Sequence, residues 1–589
     1  MEVMRNMKIS IYLVLFVVAV ASISALATAF EPQVVDTNPT LADFKESFFP
    51  PEVLNVTEGV YVARGYNRDN PVLIEGTDGL IVIDPGESII GADKAKKAFN
   101  DSLDNIFDRK PVKAIVYTHH HDCHIHGASV FAGNDSPEII VSDNFNKTLF
   151  ADWYGQLFPG RALGGSMMGG VLFDKDPGYD SGGALFAVQW RGPSGYMPPT
   201  ITVKDKLDLN ISGVHLNLFT VPGETRDVLI VWLPEKKLMV QIANFYEAFP
   251  AITTLRGAYP RNPLDYIDSI DFYRSFNPEY LVLCHGPHPV LVGAENISRE
   301  LTNYRDAIQF VHDQTVYYMN EGLTAGEIKD IVKLPSHLAE DPYLMEVYGT
   351  VERDIYEIFW WYRGYFSGKC RDLFPQSPTE EAQMAAELAG GVDELADKAR
   401  EALDKGNKEW ALELADDVLL LDPKNTGARE TKNLSVIALA EETPNAQERN
   451  YLLSEYLVET GQVKLPPVGF SSIEDRIVPF MPMDDIHRIM AVSLNVTKSL
   501  DKDLIVALSL TDMKNSTEPS DYSLHVRQGI LEVMPQAPEN AEFTIIADSL
   551  VWKNLVLGKL NPQEAIAKDE VTITGADPEA FYEFLDLFN

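Results

Sequence analysis

Apolar residues in the first part of the chain form short runs that glycine and proline interrupt. Three of these runs have the length and composition of strands, at residues 59–65, 71–76 and 79–84. A helical pattern follows over residues 92–107, and the next apolar run, at 112–117, again has the length of a strand. The order β-β-β-α-β predicts an α/β domain in which helices cover a sheet.

Further strands and then helix-rich segments are predicted along the chain. Residues 228–233 and 238–243 form a predicted hairpin. Residues 151–200 are rich in glycine, proline and aromatic residues and are predicted to form a long irregular loop, and such loops are often functional. The remaining predicted segments are strands at 201–203, 215–221 and 280–286, helices within 298–365 and 379–460, and a mixture of helix and strand over 470–589.

The N-terminus has the layout of a secretory signal peptide. Arg5 and Lys8 precede an apolar run over residues 9–27, where small-x-small cleavage patterns occur. We therefore predict a signal peptide over residues 1–29 and an exported protein, secreted, periplasmic or associated with the cell envelope. An uncleaved membrane anchor is the alternative, because the run approaches the ~20 residues that a span needs. No stable membrane span is expected once the signal is removed.

Length and charge narrow the architecture and the possible partners. A chain of 589 residues is too long for one hydrophobic core, so several domains are expected, with boundaries near the proline-containing segments at 374–378 and 466–467. The formal net charge is −38. Nucleic acid and anionic membrane surfaces require Lys and Arg on the protein, so neither is an expected partner. An anionic substrate would need local positive groups, because the overall field repels it.

A dense histidine run follows the predicted strand at 112–117. Residues 118–127 read Thr-His-His-His-Asp-Cys-His-Ile-His-Gly. His119 and His121 are two residues apart on extended backbone and therefore point to the same side, and His124 can turn back from the following loop. Neutral imidazole is the commonest transition-metal ligand, so the run predicts a metal site; a cluster of surface histidines is the alternative.

Two later segments offer further metal ligands. Glu224 lies in the turn Pro222-Gly223-Glu224-Thr225, and His285 follows Cys284 at the end of a predicted buried strand. A hydrolytic metal centre needs ligands from several strand ends and an open position for water, and these three segments together can provide them. The chain has three cysteines, Cys123, Cys284 and Cys370, which do not make a disulfide framework.

The order of these motifs resembles that of the metallo-β-lactamase superfamily, whose fold is an αβ/βα sandwich. The motifs are Thr-His-x-His-x-x-His at 118–124, Pro-Gly-Glu at 222–224 and Cys-His at 284–285. Within that superfamily the chain resembles the exported alkyl sulfatases that hydrolyse detergents such as dodecyl sulfate. The segments that carry this closer resemblance are residues 61–84, Trp153-Tyr154-Gly155, residues 253–258, Asp313-Gln314-Thr315, residues 320–324 and Tyr348-Gly349-Thr350-Val351.

The resemblance implies an order of domains. A metallo-β-lactamase-like catalytic domain is expected over residues 30–375, a helical dimerisation domain over 376–465, and an α+β domain like sterol carrier protein 2 (SCP2-like) over 466–589. A homodimer formed through the helical domain and an anionic, amphiphilic small-molecule substrate are likewise implied. Both rest on analogy with the family.

The resemblance also implies roles for individual residues. One metal would be bound by His119, His121 and Glu224, and a second by His124, His285 and the acidic residue of the family motif. A metal-bound hydroxide would be the nucleophile, so no side-chain nucleophile is assigned.

Three further residues receive roles toward the substrate or the histidine loop. Arg256 would bind the sulfate, because its planar guanidinium matches a tetrahedral oxyanion. Tyr154 would line the same site. Asp84, which ends an early strand, would mainly support the histidine loop.

Several positions depart from the family pattern. Cys123 stands where the family has its acidic ligand, and Asp122, one residue earlier, is expected to face away from the histidines. Ala243 and Ala251 replace the second carboxylate and the sulfate-contacting asparagine of the family. A family histidine is Arg353 here, a cation that could also bind the anion. We therefore expect one well-held metal and an altered or weak second site.

Three roles for Cys123 are open at this stage. As a thiolate it could replace the carboxylate as a metal ligand, which favours a softer ion such as zinc. It could also form a disulfide with Cys284, or it could be an inert small residue.

Together these patterns predict a metal-dependent hydrolase of sulfate esters, with linear alkyl sulfates as the expected substrates and one or two zinc ions as cofactor. Another ester or phosphoester hydrolase on the same fold is one alternative. A binding protein that has lost the chemistry is the other, and the alanines at positions 243 and 251 favour it.

Overall fold

The computed structural model describes residues 35–173, 192–283, 285–465, 467–514 and 516–588. The predicted signal peptide, Cys284 with its possible disulfide, and residues 174–191 of the predicted loop lie outside the described residues. Over the part that is described, the strands form a seven-stranded, a six-stranded and a five-stranded sheet.

The seven-stranded sheet contains the predicted β-β-β-α-β segment. Its strands, in chain and sheet order alike, are β1 (Glu52–Thr57), β2 (Val60–Arg64), β3 (Val72–Glu75), β4 (Leu80–Ile83), β5 (Val112–Val116), β6 (Glu138–Ser142) and β7 (Ile201–Val203). The strands β1 to β4 pair antiparallel, and β4 to β7 pair in parallel. The whole of β4 is buried, because both faces of the sheet are covered.

The six-stranded sheet packs against the first. Its strands are β8 (Lys206–Ile211), β9 (Val214–Thr220), β10 (Leu229–Leu233), β11 (Leu238–Gln241), β12 (Tyr280–Leu283) and β13 (Val290–Val292), in the order β13-β12-β11-β10-β9-β8. The predicted hairpin is confirmed as β10 and β11, with Val231 opposite Val240. Because β12 joins β11 in parallel, His285 emerges beside the end of β11.

Helices cover the outer faces of both sheets. The helices of this part of the chain are α1 (Pro39–Glu46), α2 (Ile89–Ser102), α3 (Ile106–Arg109), α4 (Asp122–Ile125), α5 (Ala128–Ala132), α6 (Phe145–Lys147), α7 (Phe158–Met168), α8 (Pro263–Ser275), α9 (Ala294–Asn320), α10 (Ala325–Ile331), α11 (Ser336–Ala339) and α12 (Val351–Arg363). Side chains alternate along β4, so Ile81 and Ile83 enter the core between the sheets while Val82 packs with Phe99 of α2. The predicted αβ/βα sandwich is confirmed.

Part of the predicted irregular loop is helical. Residues Thr148–Trp153 form a π-helical turn, and α7 follows it. A Cβ on Gly164 of α7 would lie 2.9 Å from the Cα of Arg256, so this glycine allows the helix to pack closely on the Arg256 segment. The prediction of a loop was wrong over α7, because its glycines serve close packing rather than turns.

Five helices form the second region of the chain. They are α13 (Pro378–Ala389), α14 (Val392–Asp404), α15 (Lys408–Leu421), α16 (Thr426–Glu442) and α17 (Ala446–Glu459). The last of them, α17, packs on α7, where Asn450 Nδ2 donates to the Met168 carbonyl oxygen at 3.0 Å and Ser454 Oγ donates to that of Met167 at 3.1 Å. The helical region therefore packs against the region that contains the two larger sheets, called the catalytic region below after the role expected for it. In the part of the chain that the structure describes, no helix combines the length and the apolar character needed to cross a membrane.

The C-terminal region is the predicted mixture of helix and strand. Its five-stranded sheet has the order β16-β15-β14-β17-β18. The elements are α18 (Met483–Val492), α19 (Val496–Ser499), β14 (Asp503–Leu510), β15 (Asp521–Arg527), β16 (Ile530–Met534), β17 (Phe543–Ala547), α20 (Ser549–Val556), α21 (Pro562–Ala567), β18 (Val571–Thr574) and α22 (Pro578–Asp586).

The C-terminal region shares a core with the catalytic region. Ile473, Ile477 and Ile486 are buried in the cluster that includes Val82 and Phe99 of the seven-stranded sheet and α2. Arg476 Nε donates to the carbonyl oxygen of Tyr196 at 2.7 Å.

Candidate metal centre

The histidine run begins where β5 ends and turns at once into the short helix α4. His119 Nε2 lies 2.8 Å from His121 Nδ1, so the two imidazoles converge as their spacing predicts. Residues from Asp122 onward are helical rather than extended. This turn places Cys123 and His124 in a different direction from His119 and His121, and it divides the run between two groups of ligands.

Asp84 anchors this turn from the end of β4. Its φ of 50° is left-handed, a conformation that non-glycine residues adopt rarely. One carboxylate oxygen accepts from the Thr118 N–H at 2.9 Å, and the other accepts from Thr118 Oγ1 at 2.7 Å and lies 2.9 Å from His124 Nδ1. With Nδ1 engaged, His124 presents Nε2 to His285, whose Nε2 is 3.2 Å away. The supporting role expected for Asp84 agrees with these contacts.

The first group of donors is His119, His121 and Glu224, called the first triad below. One donor atom from each lies within 4.8 Å of the other two. Glu224 is held in its turn because its N–H donates to Asn244 Oδ1 at 2.8 Å. The turn requires Gly223, since a Cβ there would collide with the Asn244 side chain.

The second group is Cys123, His124 and His285, called the second triad below, whose donor atoms also lie within 4.8 Å of one another. Among the described residues, Asp122 belongs to neither triad and instead lines the neighbouring cavity. Two imidazoles with a carboxylate, and two imidazoles with a thiol, are both donor sets that suit zinc. The residues of both triads therefore fit a metal ion.

Burial controls the protonation of these imidazoles. It lowers the pKa of His119, His121 and His285 well below the ordinary value of 6.5, so each is neutral, which is the form that binds metal. Burial also disfavours the charged form of His124, but Cys123 and Asp84 outweigh it and raise the pKa of His124 well above 6.5. A cation bound at the second triad would displace that proton.

Arg256 stands beside the first triad. Its Nη2 donates to His121 Nε2 at 3.2 Å, and its guanidinium carbon is 4.5 Å from the ring centroid of Trp153. Burial, and then the nearby charge of Arg261, lower the pKa of Arg256 to about 10, so it is cationic at neutral pH.

The centre opens into a cavity of about 530 Å³, within the range of small-molecule sites. Its polar end carries Arg68, His121, Cys123, Glu224, Arg256 and His285. Its other walls include Trp153, Tyr154, Phe158, Met168, Tyr348 and Val468. Glu87, Asp122, His126, Arg161 and Glu474 also line the cavity, so its walls combine apolar and aromatic side chains with charged ones.

The other predicted residues are placed as follows. Tyr154 lines the cavity, and its hydroxyl lies 3.2 Å from His126 Nε2. His126 belongs to neither triad, nor does His120, whose Nδ1 is 3.0 Å from Asp227 Oδ1. Each of these two imidazoles therefore contacts a protein group outside the triads.

The structure does not bring Arg353 to the metal centre. It lies in the first turn of α12, where Nη2 donates to the Tyr348 carbonyl oxygen at 2.7 Å and Nη1 donates to Gln447 Oε1 at 3.3 Å. Its Nε is 3.6 Å from Glu448 Oε1 on α17. Arg353 is not among the described residues that line the cavity. The expectation that it binds the anion is corrected, because its guanidinium is used to join α12 to α17.

Several site residues could not be identified in the sequence. Arg261 pairs with Glu224, Nη2 to Oε1 at 3.0 Å, although both side chains are more than 90% buried. Arg68 and Tyr348 line the cavity, and Trp153 packs on Arg256. Arg68, Trp153 and Tyr348 belong to segments that carried the family resemblance but received no role there, whereas Arg261 lies in none of these segments.

Family models and curated relatives agree with this architecture. The models match as "Metallo-beta-lactamase superfamily" over residues 68–285, "Alkyl sulfatase dimerisation" over 324–460 and "Alkyl sulfatase C-terminal" over 472–589. The chain is 32% identical to the linear primary-alkylsulfatase of Pseudomonas sp. (strain ATCC 19151) over 519 residues, which cover 85% of this chain and 96% of that protein. It is 25% identical to the (R)-specific secondary-alkylsulfatase of Pseudomonas sp., over 91% of this chain and 81% of that protein.

A solved structure shows the same fold. The stereoselective inverting sec-alkylsulfatase Pisa1 from Pseudomonas sp. superposes with a TM-score of 0.81 at 24% identity, covering 94% of this chain and 87% of the other. Fold, domain order and full-length similarity lead to one conclusion: this chain belongs to the alkylsulfatase family of the metallo-β-lactamase superfamily.

Proposed function

We propose that this protein is a metal-dependent hydrolase that cleaves the sulfate ester of linear alkyl sulfates. One observation carries the proposal beyond family membership. The two candidate triads and Arg256 lie together at a cavity that is also lined by the apolar and aromatic side chains of Trp153, Tyr154, Phe158, Met168, Tyr348 and Val468. A sulfate with an apolar tail matches this lining, since Arg256 can bind the charged group and the apolar and aromatic side chains can contact the tail.

The residues of the centre have separate tasks in this proposal. A divalent cation held by His119, His121 and Glu224, which we propose to be zinc, would supply Lewis acidity that lowers the pKa of a coordinated water. Arg256 binds the sulfate and balances the negative charge that gathers there during ester cleavage. Trp153 keeps the guanidinium in place by packing against it.

The second triad is proposed as an altered metal position with Cys123 as ligand. Its thiol takes the place of the family carboxylate, and its sulfur lies within 4.8 Å of a donor nitrogen of His124 and of His285. The buried Ala243 contributes no side-chain oxygen there. We therefore propose that the first triad binds its metal more tightly than the second.

Assembly and location follow the family in this proposal. We propose a homodimer formed through the helical region, which the dimerisation model over 324–460 supports. We also propose that residues 1–29 direct export, because a basic start followed by an apolar run is typical of a signal peptide.

Sulfate release from purified protein tests the function. Dodecyl sulfate should yield inorganic sulfate, a chelator should abolish the release, and zinc should restore it. Dodecyl phosphate and a carboxylic ester of dodecanol, tested alongside, separate the sulfatase from another hydrolase on the same fold. Substoichiometric metal and no turnover of any of these substrates would indicate instead a binding protein that has lost the chemistry.

A further inference from the structure

Arg68 stands beside the second triad, much as Arg256 stands beside the first. It lies in the connection between β2 and β3 and lines the cavity together with Cys123 and His285. Its side chain is 30% exposed. Each triad therefore has one arginine at its cavity side.

Two asparagines hold the Arg68 segment in place. Asn67 Oδ1 accepts the N–H groups of Arg68 at 3.2 Å and of Glu87 at 3.4 Å. Asn70 Nδ2 donates to the Gly286 carbonyl oxygen at 2.9 Å, next to His285. The segment is thus tied both to the residues that follow β4 and to those that follow β12, which sets the position of Arg68.

The charges around Arg68 keep it cationic. Burial disfavours its charged form, but Cys123, Glu87 and Asp122 outweigh it and raise the pKa of Arg68 above its already high ordinary value. The nearest of these groups with a measured distance is the Glu87 carboxylate, which is 3.7 Å from Arg68 Nε.

We propose that Arg68 is a second head-group-binding arginine, which contacts the sulfate from the side of Cys123 and His285 while Arg256 contacts it from the side of His121. This inference rests on the proposed function, since it requires an anionic ester in the cavity. A sulfate presents several oxygens to its surroundings, and a second planar guanidinium can bind those that Arg256 does not reach. The position matters in this chain because Ala243 and Ala251 bring no polar side-chain atoms to the centre.

The inference predicts a loss of affinity for an alkyl anion that cannot be hydrolysed. Decane-1-sulfonate is such a probe, because its sulfur is bonded directly to carbon, and its binding can be measured by titration calorimetry of the purified protein. Arg68→Gln should weaken binding by roughly 10–100-fold, the usual range for a lost hydrogen bond to a charged group, and should raise KM for dodecyl sulfate. Arg68→Lys, which keeps the charge but loses the planar guanidinium, should weaken binding less than Arg68→Gln does.

Arg299→Gln is the matched control. Arg299 is 59% exposed on α9 and is not among the described residues that line the cavity, and this variant changes the net charge by the same amount. Its affinity for decane-1-sulfonate should stay within about twofold of the original protein, since exposed charges contribute little. Thermal unfolding of each variant shows that it is folded.

The outcomes separate this inference from the proposed function. If Arg68→Gln binds the sulfonate as the original protein does, whether or not its Tm falls, Arg68 is only a partner of Glu87 and the inference is overturned. It is also overturned if the original protein does not bind the sulfonate. If binding depends on Arg68 but alkyl sulfates release no sulfate, the inference stands and the proposed hydrolysis fails.

Discussion

Arg261 holds the carboxylate of Glu224 at 3.0 Å in a pair that is almost completely buried. A second N–H of the same guanidinium donates to the carbonyl oxygen of Ala251. Arg261 therefore fixes the carboxylate of the first triad and also compensates its charge. The nearby carboxylate in turn outweighs the burial of Arg261 and raises the pKa of the guanidinium.

Arg261→Gln should destabilise the metal-free protein by about 3–5 kcal/mol, because it leaves the charge of Glu224 buried without a partner. Added zinc should then raise the Tm of the variant more than that of the original protein, since the cation replaces the missing charge. Thermal unfolding with and without metal measures both effects. The control is Arg274→Gln, which removes a half-exposed pair with Asp271 and should cost about 1 kcal/mol or less. Equal zinc-induced shifts in Arg261→Gln and the original protein would contradict the prediction.

Cys123→Ala should lower the metal content of the protein, because it removes the thiol from the second triad. The first triad remains intact, so the variant should retain the more tightly bound ion. Elemental analysis after dialysis gives the stoichiometry. Cys370→Ala is the matched control, since Cys370 is exposed and lies outside both triads. Unchanged metal content in Cys123→Ala would mean that the thiol is not a ligand.

Arg256→Gln should lower kcat/KM for dodecyl sulfate on the order of 100-fold, the usual effect of removing a donor that stabilises developing negative charge. The kcat/KM of Arg256→Lys should lie between those of Arg256→Gln and the original protein, because an ammonium group keeps the charge but not the planar arrangement of N–H donors. Steady-state kinetics of sulfate release measure the change. Activity of Arg256→Gln within threefold of the original protein would exclude this arginine from sulfate binding.

The stability of the folded protein should decrease as the pH falls, and the buried His487 in the C-terminal region should contribute to this decrease. Burial lowers the pKa of His487 from 6.5 to about 4, and the ring accepts the N–H of Trp552 at 3.3 Å. Below pH 6.5 the unfolded chain takes up this proton and the folded chain does not. The stability that the neutral ring contributes is therefore complete above that pH and is lost as the pH falls toward about 4, by at most about 1.4 kcal/mol per pH unit.

His487→Gln should remove this part of the pH dependence, because glutamine can accept the same N–H and does not titrate. Thermal midpoints between pH 7.5 and 4.5, compared with those of the original protein, test the expectation. His215→Gln, at a largely exposed histidine, should leave the dependence of the thermal midpoint on pH unchanged. Parallel curves for His487→Gln and the original protein would show that His487 does not contribute.

The ligands could be predicted because their signals are local. His119 and His121 follow a buried strand at a spacing of two, and Glu224 and His285 each stand at the end of a strand in the expected order. The direction of the Cys123 side chain could not be predicted from the local spacing. Three roles were open for this residue, and the helix α4, which begins at Asp122, places it beside His124 and His285.

Arg68 and Arg261 could not be assigned to the site from the sequence, because distant contacts position them. Arg68 is placed by hydrogen bonds of Asn67 and Asn70 to residues after two other strands. Arg261 is separated from Glu224 by β10 and β11. Arg353 shows the converse error, since its alignment with a family histidine did not reveal that it would face Glu448 on α17.

The shared core of the C-terminal and catalytic regions limits the deletion or exchange of the C-terminal region. Ile473, Ile477 and Ile486 precede or begin the C-terminal fold, yet they are buried against the seven-stranded sheet and its helices, and Ser472 and Glu474 reach the wall of the cavity. Deletion of the C-terminal region at its sequence boundary would expose that apolar surface to water. The C-terminal region consequently cannot be exchanged as an independent domain. A chimera with a different C-terminal region would have to keep residues 472–489 of this chain together with its catalytic region.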